Sequence, residues 1–265
     1  MEMEKNCNLL STVLQSGIMY NGQTMIPTTD RSALILPASI IIAGILIGGG
    51  LYFGLANSGS LGDGGAQPPA VAVDIKDVKT EDDPYIGNAN AKVVLAYWFD
   101  YQCPYCKAVD VGGIPQIPIE PAMPILIKEY VDTGKLKIVF KDFAFLSEDS
   151  TTAALYENAV WNLYPDKFYE WHEAMFRAQD EEHGGFGDEA SIVALIGGIS
   201  GMDAAKVKAD VAANRAKYEA EIDADRAEAT GFSINGTPGF ITGKTLIPGA
   251  AEIASFKSAI DPQLK

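Results

Sequence analysis

The sequence predicts an α/β domain whose sheet is interrupted by an all-helical insertion, preceded by a single N-terminal transmembrane helix. Three observations carry this. The run Val93-Val94-Leu95-Ala96-Tyr97-Trp98-Phe99 and the later run Leu136-Lys137-Ile138-Val139-Phe140 read as buried strands, with a helical pattern between them. From Glu148 to about Thr230 the period is helical throughout. Between Arg31 and Asp63 there is no charged residue.

The leading tail, residues 1–31, is polar and without a strong period. Ser32 to Ala56 is apolar over about 25 residues, or roughly 37 Å of helix, enough to cross a hydrocarbon core of about 30 Å with some tilt. Pro37 falls in its first turns, and Tyr52 and Phe53 sit near its far end, where interfacial aromatics belong. Arg31 flanks the upstream side and Asp63 the downstream side, which places the N-terminus in the cytoplasm and the rest outside. A cleaved signal peptide is the alternative, with Gly54-Leu55-Ala56 as a small-x-small triplet. The apolar stretch exceeds a signal core, and a retained signal-anchor fits better. Cys7 lies in the tail, on the reducing side.

Residues 57–83 form a linker rich in Gly, Ser, Pro and Asp in its first part. Val71 to Val78 alternates apolar and polar residues, the pattern of a leading strand. The domain then runs over residues 84–265, with the insertion at about 148–230. Ala91 to Phe99 is its first strong strand. A helix over Pro124 to Thr133 ends at Gly134, a C-cap residue, and Leu136 to Phe140 follows, giving a strand–helix–strand unit with a parallel pair. Asp203 to Ala229 suits a long, largely solvated helix. Phe240 to Thr242 and Thr245 to Ile247 flank Gly243-Lys244, a hairpin signal, and Ala251 to Ile260 closes the chain as a helix.

The chain carries a formal charge of −15, which opposes binding to nucleic acid or to anionic lipid surfaces. With three cysteines in 265 residues it is no disulfide-stapled miniprotein. Chemistry concentrates at Cys103-Pro104-Tyr105-Cys106, directly after the first core strand. A helix start offers unpaired N–H groups and the positive end of its dipole to the first sulfur. Those favour the thiolate, the form that attacks a disulfide. Pro104 suits the first helical position. A zinc knuckle is the competing reading, but it needs four ligands, and the chain offers one cysteine pair, a distant Cys7 and two histidines, His172 and His183. No metal and no cofactor is expected. His172, beside Trp171 in an aromatic helical stretch, reads as a packing residue. His183 lies in an acidic loop that lacks a calcium-loop spacing, although Asp180, Glu181 and Asp188 are of the right type.

From Asp82 to Asp261 the chain resembles the DsbA-like, thioredoxin-fold family of disulfide oxidoreductases. Asp83-Pro84-Tyr85-Ile86-Gly87-Asn88 followed by Ala91-Lys92-Val93-Val94 is similar to the family's approach to its first core strand. Phe99-Asp100-Tyr101-Gln102-Cys103-Pro104-Tyr105-Cys106-Lys107 resembles its active-site stretch. Lys141-Asp142-Phe143 resembles the end of its next strand. Asp225-Arg226-Ala227-Glu228-Ala229, Gly231 and then Gly236-Thr237-Pro238 resemble its return from the insertion. The resemblance implies a thioredoxin fold interrupted by a helical domain. It implies a cis peptide before Pro238, facing the cysteines, with Thr237 ready to pair with an extended client segment. The chain departs from the family at Val111 to Pro121, where two glycines and three prolines exclude a continuous helix. A short active-site helix, a surface loop and a second helix from about Ala122 are expected.

On this reading Cys103 is the exposed nucleophile and Cys106 the buried resolving thiol. Pro104, Tyr105, Asp100 and Lys107 are candidates for tuning the pair, Asp100 being equally readable as a turn residue. Thr237 and Pro238 form the substrate contact. Expected partners are cysteine-containing secreted or surface proteins and a membrane redox partner that reoxidises or reduces the pair. Residues 32–56 contact the bilayer. The expected function is a membrane-tethered extracytoplasmic oxidase. The alternatives are a reductase or isomerase of the same fold, and a non-catalytic peptide-binding module.

Overall fold

The computed structural model describes residues 72–180 and 184–265. The tail, the apolar segment 32–56, Cys7, the first part of the linker, Glu181 and His183 lie outside the described residues. Among the described residues no helix is long and apolar enough to cross a membrane.

The centre is a five-stranded sheet in the order β1-β3-β2-β4-β5, built from β1 (Tyr85–Gly87), β2 (Val93–Phe99), β3 (Leu136–Asp142), β4 (Gly239–Thr242) and β5 (Thr245–Pro248). The pair β2 and β3 is parallel, with Val93 opposite Leu136 and Phe99 opposite Asp142. The other three pairings are antiparallel. β2 is apolar without interruption because both of its faces are covered. Leu95, Tyr97 and Phe99 enter the main core. Ala96 and Trp98 point the other way into a smaller one, as the two-residue period of a strand requires. Trp98 is fully buried there, and its indole N–H donates to the carbonyl of Asp225 at 3.2 Å.

Where the alternation of Val71–Val78 predicts a strand, the described part forms a 3-10 turn at Ile75–Asp77. The Asp74 carboxylate accepts the Lys76 N–H at 3.1 Å, a local bond that competes with extended pairing. Val73 and Val78 are then buried in the small core. β1 is a strand that the sequence reading passed over. It has three residues after Pro84 and ends at Gly87, where φ is +96° and a β-carbon would overlap the Leu136 carbonyl oxygen.

The interruption at Val111 to Pro121 has the expected consequence. A short helix α1 (Pro104–Asp110) is followed by a loop, and α2 (Ala122–Leu126) begins after Pro121. The expected regular helix to Thr133 differs in detail. Ile127–Val131 widens into a π-turn, in which the Asp132 N–H reaches the Ile127 carbonyl. Gly134 caps it at φ +73°.

The insertion consists of α3 (Glu148–Leu163), α4 (Phe168–Ala178), α5 (Glu189–Gly198) and α6 (Ala204–Gly231). α6 has 28 residues, about 42 Å at 1.5 Å each, and its N-cap Asp203 accepts from Ala205 and Lys206 N–H groups. Its solvated face carries the pairs Arg215–Glu219 and Lys217–Glu221. Its last turns pack on the sheet, where Lys141 of β3 is enclosed by Asp83 and Asp225, each at 2.6 Å, and Glu228 at 3.3 Å. The hairpin turns at Gly243-Lys244 as expected, and α7 (Ile253–Leu264) closes the chain.

Candidate active site

β2 ends at Phe99 and delivers a turn, Asp100 to Gln102, to the start of α1. Asp100 organises that turn. One carboxylate oxygen accepts the Gln102 N–H at 2.8 Å. The other accepts Phe145 and Leu146 N–H groups at 3.0 and 3.3 Å, tying the loops after β2 and β3 together. Burial pushes this carboxyl up, against the downward pull of those N–H groups. The turn role, one of the two readings of Asp100, therefore has a full set of partners. The Lys107 ammonium is engaged by the protein: it donates to the Gln179 carbonyl at 2.5 Å. Burial lowers it and Asp180 opposes that. Gln179 in turn donates to the carbonyls of Tyr101 at 2.6 Å and Cys103 at 3.1 Å. The loop after α4 thus grips the cysteine turn. Gln102 adds a bond to the Phe186 carbonyl at 3.0 Å.

Cys103 is the N-cap of α1 and Pro104 its first residue. Cys103 and Cys106 are both free thiols. Across the cleft the Thr237–Pro238 peptide is cis, and the Cys103 thiol donates to the Thr237 carbonyl at 3.4 Å. The Thr237 hydroxyl is buried without a hydrogen-bond partner and bears on both sulfurs. The structure corrects one expectation. Cys103 is not exposed: 4% of its surface is accessible, against none for Cys106. The Thr237 carbonyl sits against its sulfur, and the loop after α4 closes over its backbone. The exposed member of the motif is Tyr105.

The two sulfurs differ in acidity. The Cys106 thiol, the Thr237 hydroxyl and the N–H groups of Cys106 and Tyr105 lower Cys103 to about 7, against the opposing effect of burial. From an ordinary value of 9.0 this favours the thiolate by roughly 3 kcal/mol, at about 1.4 kcal/mol per pH unit. Burial pushes Cys106 far up, and its hydrogen bond to Cys103 adds to the rise. One sulfur is primed to ionise at neutral pH and its neighbour keeps its proton.

Beneath Cys106 lies a polar group that sequence reading missed. Tyr97 donates to Asp110 at 2.6 Å. Asp110 also meets His172 Nε2 at 2.9 Å, and His172 Nδ1 meets the Tyr101 hydroxyl at 2.9 Å. All four side chains are buried. His172 does pack as expected, against Phe99, Phe140 and Phe176 at centroid distances of 5.0, 4.6 and 5.0 Å. It is also held by two polar partners. One signal was legible: Cys103, Cys106 and Asp110 stand at helical spacings of three and four, so the acid shares a face with the cysteines.

The family profile described as Thioredoxin matches residues 79–262, more than two thirds of the chain. The chain belongs to the thioredoxin family, in its DsbA-like group of thiol–disulfide oxidoreductases. The "Disulfide bond formation protein D" of Bacillus subtilis is 25% identical to it over 185 residues, covering 69% of this chain and 77% of that one. The "Probable disulfide bond formation protein D" of Bacillus anthracis is 25% identical over 182 residues, covering 68% and 77%. The fold is that of oxidised BdbD from Bacillus subtilis (TM-score 0.62, 23% identity, 74% of this chain and 98% of that one). The thiol-disulfide exchange protein alpha-DsbA2 from Wolbachia pipientis is also similar (TM-score 0.58, 28% identity, 71% and 89%). The thioredoxin-family fold with a helical insertion, expected from the motifs, is thus present.

Proposed function

We propose that this oxidoreductase introduces disulfides into secreted or surface proteins through Cys103-Pro104-Tyr105-Cys106, while tethered outside the cell membrane by residues 32–56. The tail 1–31 is cytoplasmic, residues 57–83 tether the domain, and residues 84–265 carry the chemistry, with the insertion at about 148–230. The observation that carries the exchange chemistry, in either direction, is the unequal pair: a Cys103 lowered to about 7 beside a Cys106 pushed far up. A client thiolate attacks the Cys103 sulfur of the Cys103–Cys106 disulfide. Cys106 leaves with the bonding electrons and takes a proton. A second client thiolate then attacks the client sulfur of the mixed disulfide, and Cys103 leaves as a stabilised thiolate. Thr237 and Pro238 present the backbone against which an extended client segment docks. A membrane partner accepts the electron pair and restores the disulfide. The names of the Bacillus relatives, disulfide bond formation proteins, support the oxidising direction.

One observation favours a second reading. A thiol near 7 is the thioredoxin value, whereas a strongly oxidising member has its thiol near about 3.5. A reductase or isomerase kept reduced by the membrane partner fits that acidity. The reduction potential separates them: a value near about −120 mV is that of an oxidant, and one near about −270 mV that of a reductant. Reoxidation of a reduced, unfolded secreted enzyme by the full chain tests the leading reading. Turnover that survives Cys103→Ala would leave only the peptide-binding alternative.

A further inference from the structure

The helical insertion holds a cavity of about 380 Å³ between the first turns of α3 and α5 and the first half of α6. Its floor is apolar: Leu155, Tyr156 and Val211 line it and are buried. Its rim is acidic, with Glu148, Asp149, Asp188 and Glu189. Acids at a helix start are ordinary, because they face the positive end of the dipole. Two of these are also occupied: Asp188 caps α5 by accepting the Ser191 N–H at 2.8 Å, and Glu189 meets Lys208 at 2.5 Å. Arg215, which also lines the cavity, gives its Nε–H to Glu219 at 2.8 Å. Glu148 and Asp149 keep their charge without a cation among the described residues. Helix ends do not explain Tyr156. Its hydroxyl is buried, and among the described residues nothing hydrogen-bonds it, which costs stability in a closed core. Burial and the Glu189 carboxylate push this phenol up, which sets the protonated hydroxyl on the acidic side of the cavity.

We propose, resting on the reading of Cys103 as the sulfur that meets the client, that this cavity takes the guanidinium of a client arginine a few residues from the client cysteine. An arginine has an apolar stem and a planar head with several N–H donors. The stem suits the floor of Leu155 and Val211. The head reaches the Tyr156 oxygen and the unmatched carboxylates of Glu148 and Asp149. A metal ion does not suit the same rim: among the described residues no three acid, His or Cys side chains stand close enough together to hold one. Position is the further reason. Gly187 is wedged between the Asp149 side chain and the Gln102 amide, so closely that a β-carbon there would overlap both. Gln102 precedes Cys103, and its amide donates to the Phe186 carbonyl at 3.0 Å. One glycine therefore separates the wall of the cavity from the cysteine turn. An extended client advances roughly 3.3 Å per residue, so an arginine about three to five residues from its cysteine has the reach.

The exchange at sulfur is the same with or without the arginine. The cavity raises the local concentration of the client cysteine at Cys103, as a second contact on one chain does. Its effect therefore falls on the client concentration that half-saturates the reaction, and not on the limiting rate. A chain of formal charge −15 attracts any basic client from a distance. What the cavity adds to that attraction is a preferred spacing between arginine and cysteine.

The test uses the reduced full chain carrying Cys7→Ser and Cys106→Ala, so that Cys103 reacts once and no resolving thiol follows. Each peptide has a single cysteine, held in a mixed disulfide with a coloured aromatic thiol. The Cys103 thiolate attacks the peptide sulfur, the Cys103–peptide bond forms, the peptide–aromatic bond breaks, and the aromatic thiolate leaves with the electron pair. This works whatever the reduction potential of the native pair. The peptides carry arginine, or its neutral analogue citrulline, about one to six residues to either side of the cysteine. At the best spacing the arginine peptide half-saturates at a concentration at least about fivefold lower than its citrulline twin, with the same limiting rate. Glu148→Gln with Asp149→Asn reduces that difference to less than about twofold. Tyr156→Phe removes only an unpaired hydroxyl, melts no lower than the parent, and reduces the difference about two- to threefold. Glu120→Gln with Asp132→Asn removes the same charge outside the insertion and leaves the difference unchanged. The citrulline peptides react alike in every variant, which reports that the site is folded. Equal behaviour of arginine and citrulline in the parent overturns the proposal. So does an advantage that is the same at every spacing, or that both double variants reduce equally, which is long-range attraction alone. A Tyr156→Phe chain that keeps the full difference overturns it as well. No colour from any peptide is a separate failure: it removes Cys103 as the nucleophile, and the client site falls with it.

Discussion

The acidity of Cys103 has a named first cause, the thiol of Cys106, and a paired substitution isolates it. Cys106→Ala removes the donor, and Cys106→Ser keeps a hydroxyl in its place. With its thiol at about 7, Cys103 is about half ionised at pH 7. If all the lowering were lost and the thiol returned to 9.0, the ionised fraction would fall to about one hundredth, roughly a fiftyfold drop. The more basic sulfur is a better nucleophile, and a Brønsted slope of about 0.45 returns roughly eightfold of that. The net cost in exchange rate at pH 7 is therefore at most about sixfold. It is less to the extent that Thr237 and the N–H groups of Tyr105 and Cys106 persist. The titration midpoint, read from ultraviolet thiolate absorbance, is the more sensitive observable. It should rise by more than one pH unit in the Ala variant and by less in the Ser variant. A midpoint near 7 in Cys106→Ala would refute the argument and assign the lowering to the backbone instead.

Three further outcomes follow from the packing. Gly187→Ala drives a β-carbon into the Gln102 amide at a φ of +125°, so a loss of about 2–3 kcal/mol is expected in denaturant melts, with looser binding of the cysteine turn. Lys141→Met leaves Asp83 and Asp225 facing each other without their shared cation, and should cost about 3–5 kcal/mol at pH 8 and less at pH 5, where the carboxyls can take up protons. Glu157→Gln replaces a buried carboxyl that burial and Asp142 push well up. A raised acid contributes fully below its unfolded value and loses that contribution as pH rises through its folded value. The Gln variant should therefore be more stable than the parent at pH 8 and little changed at pH 4, as measured by urea unfolding at the two pH values.

The parts of this molecule that were legible in its sequence are those fixed by local rules. A run of seven apolar residues has to be covered on both faces, and β2 is. Two glycines and three prolines in eleven residues stop a helix, and the gap between α1 and α2 lies there. Val71 to Val78 was misread because its alternation is a weak signal over so few residues, and one Asp74 side-chain bond outweighs it. β1 was missed because three residues carry no period at all. Its existence depends on pairing with β3, which lies some fifty residues later in the chain.

The site divides in the same way. The cysteine motif could be named from a short stretch, and the cis Thr237–Pro238 peptide from the family resemblance that Gly236-Thr237-Pro238 helps to carry. The burial of Cys103 could not, since the groups that cover it come from Thr237 and Gln179, both more than seventy residues away. The Tyr97–Asp110–His172 chain is the extreme case. Each member has an ordinary explanation alone: a strand aromatic, a helix-surface acid, a core histidine. Asp110 and His172 are 62 residues apart, and only the packing of α1 on α4 makes them partners. Once they are partners the ordinary explanations no longer suffice. A carboxyl with 1% exposure is costly to bury unless its neighbours supply hydrogen bonds, and an apolar residue at 110 would avoid that cost entirely. Those bonds come from β2 and α4: Tyr97 donates to Asp110 at 2.6 Å and His172 meets it at 2.9 Å, so a helix-surface acid becomes a core residue on the face that carries Cys106.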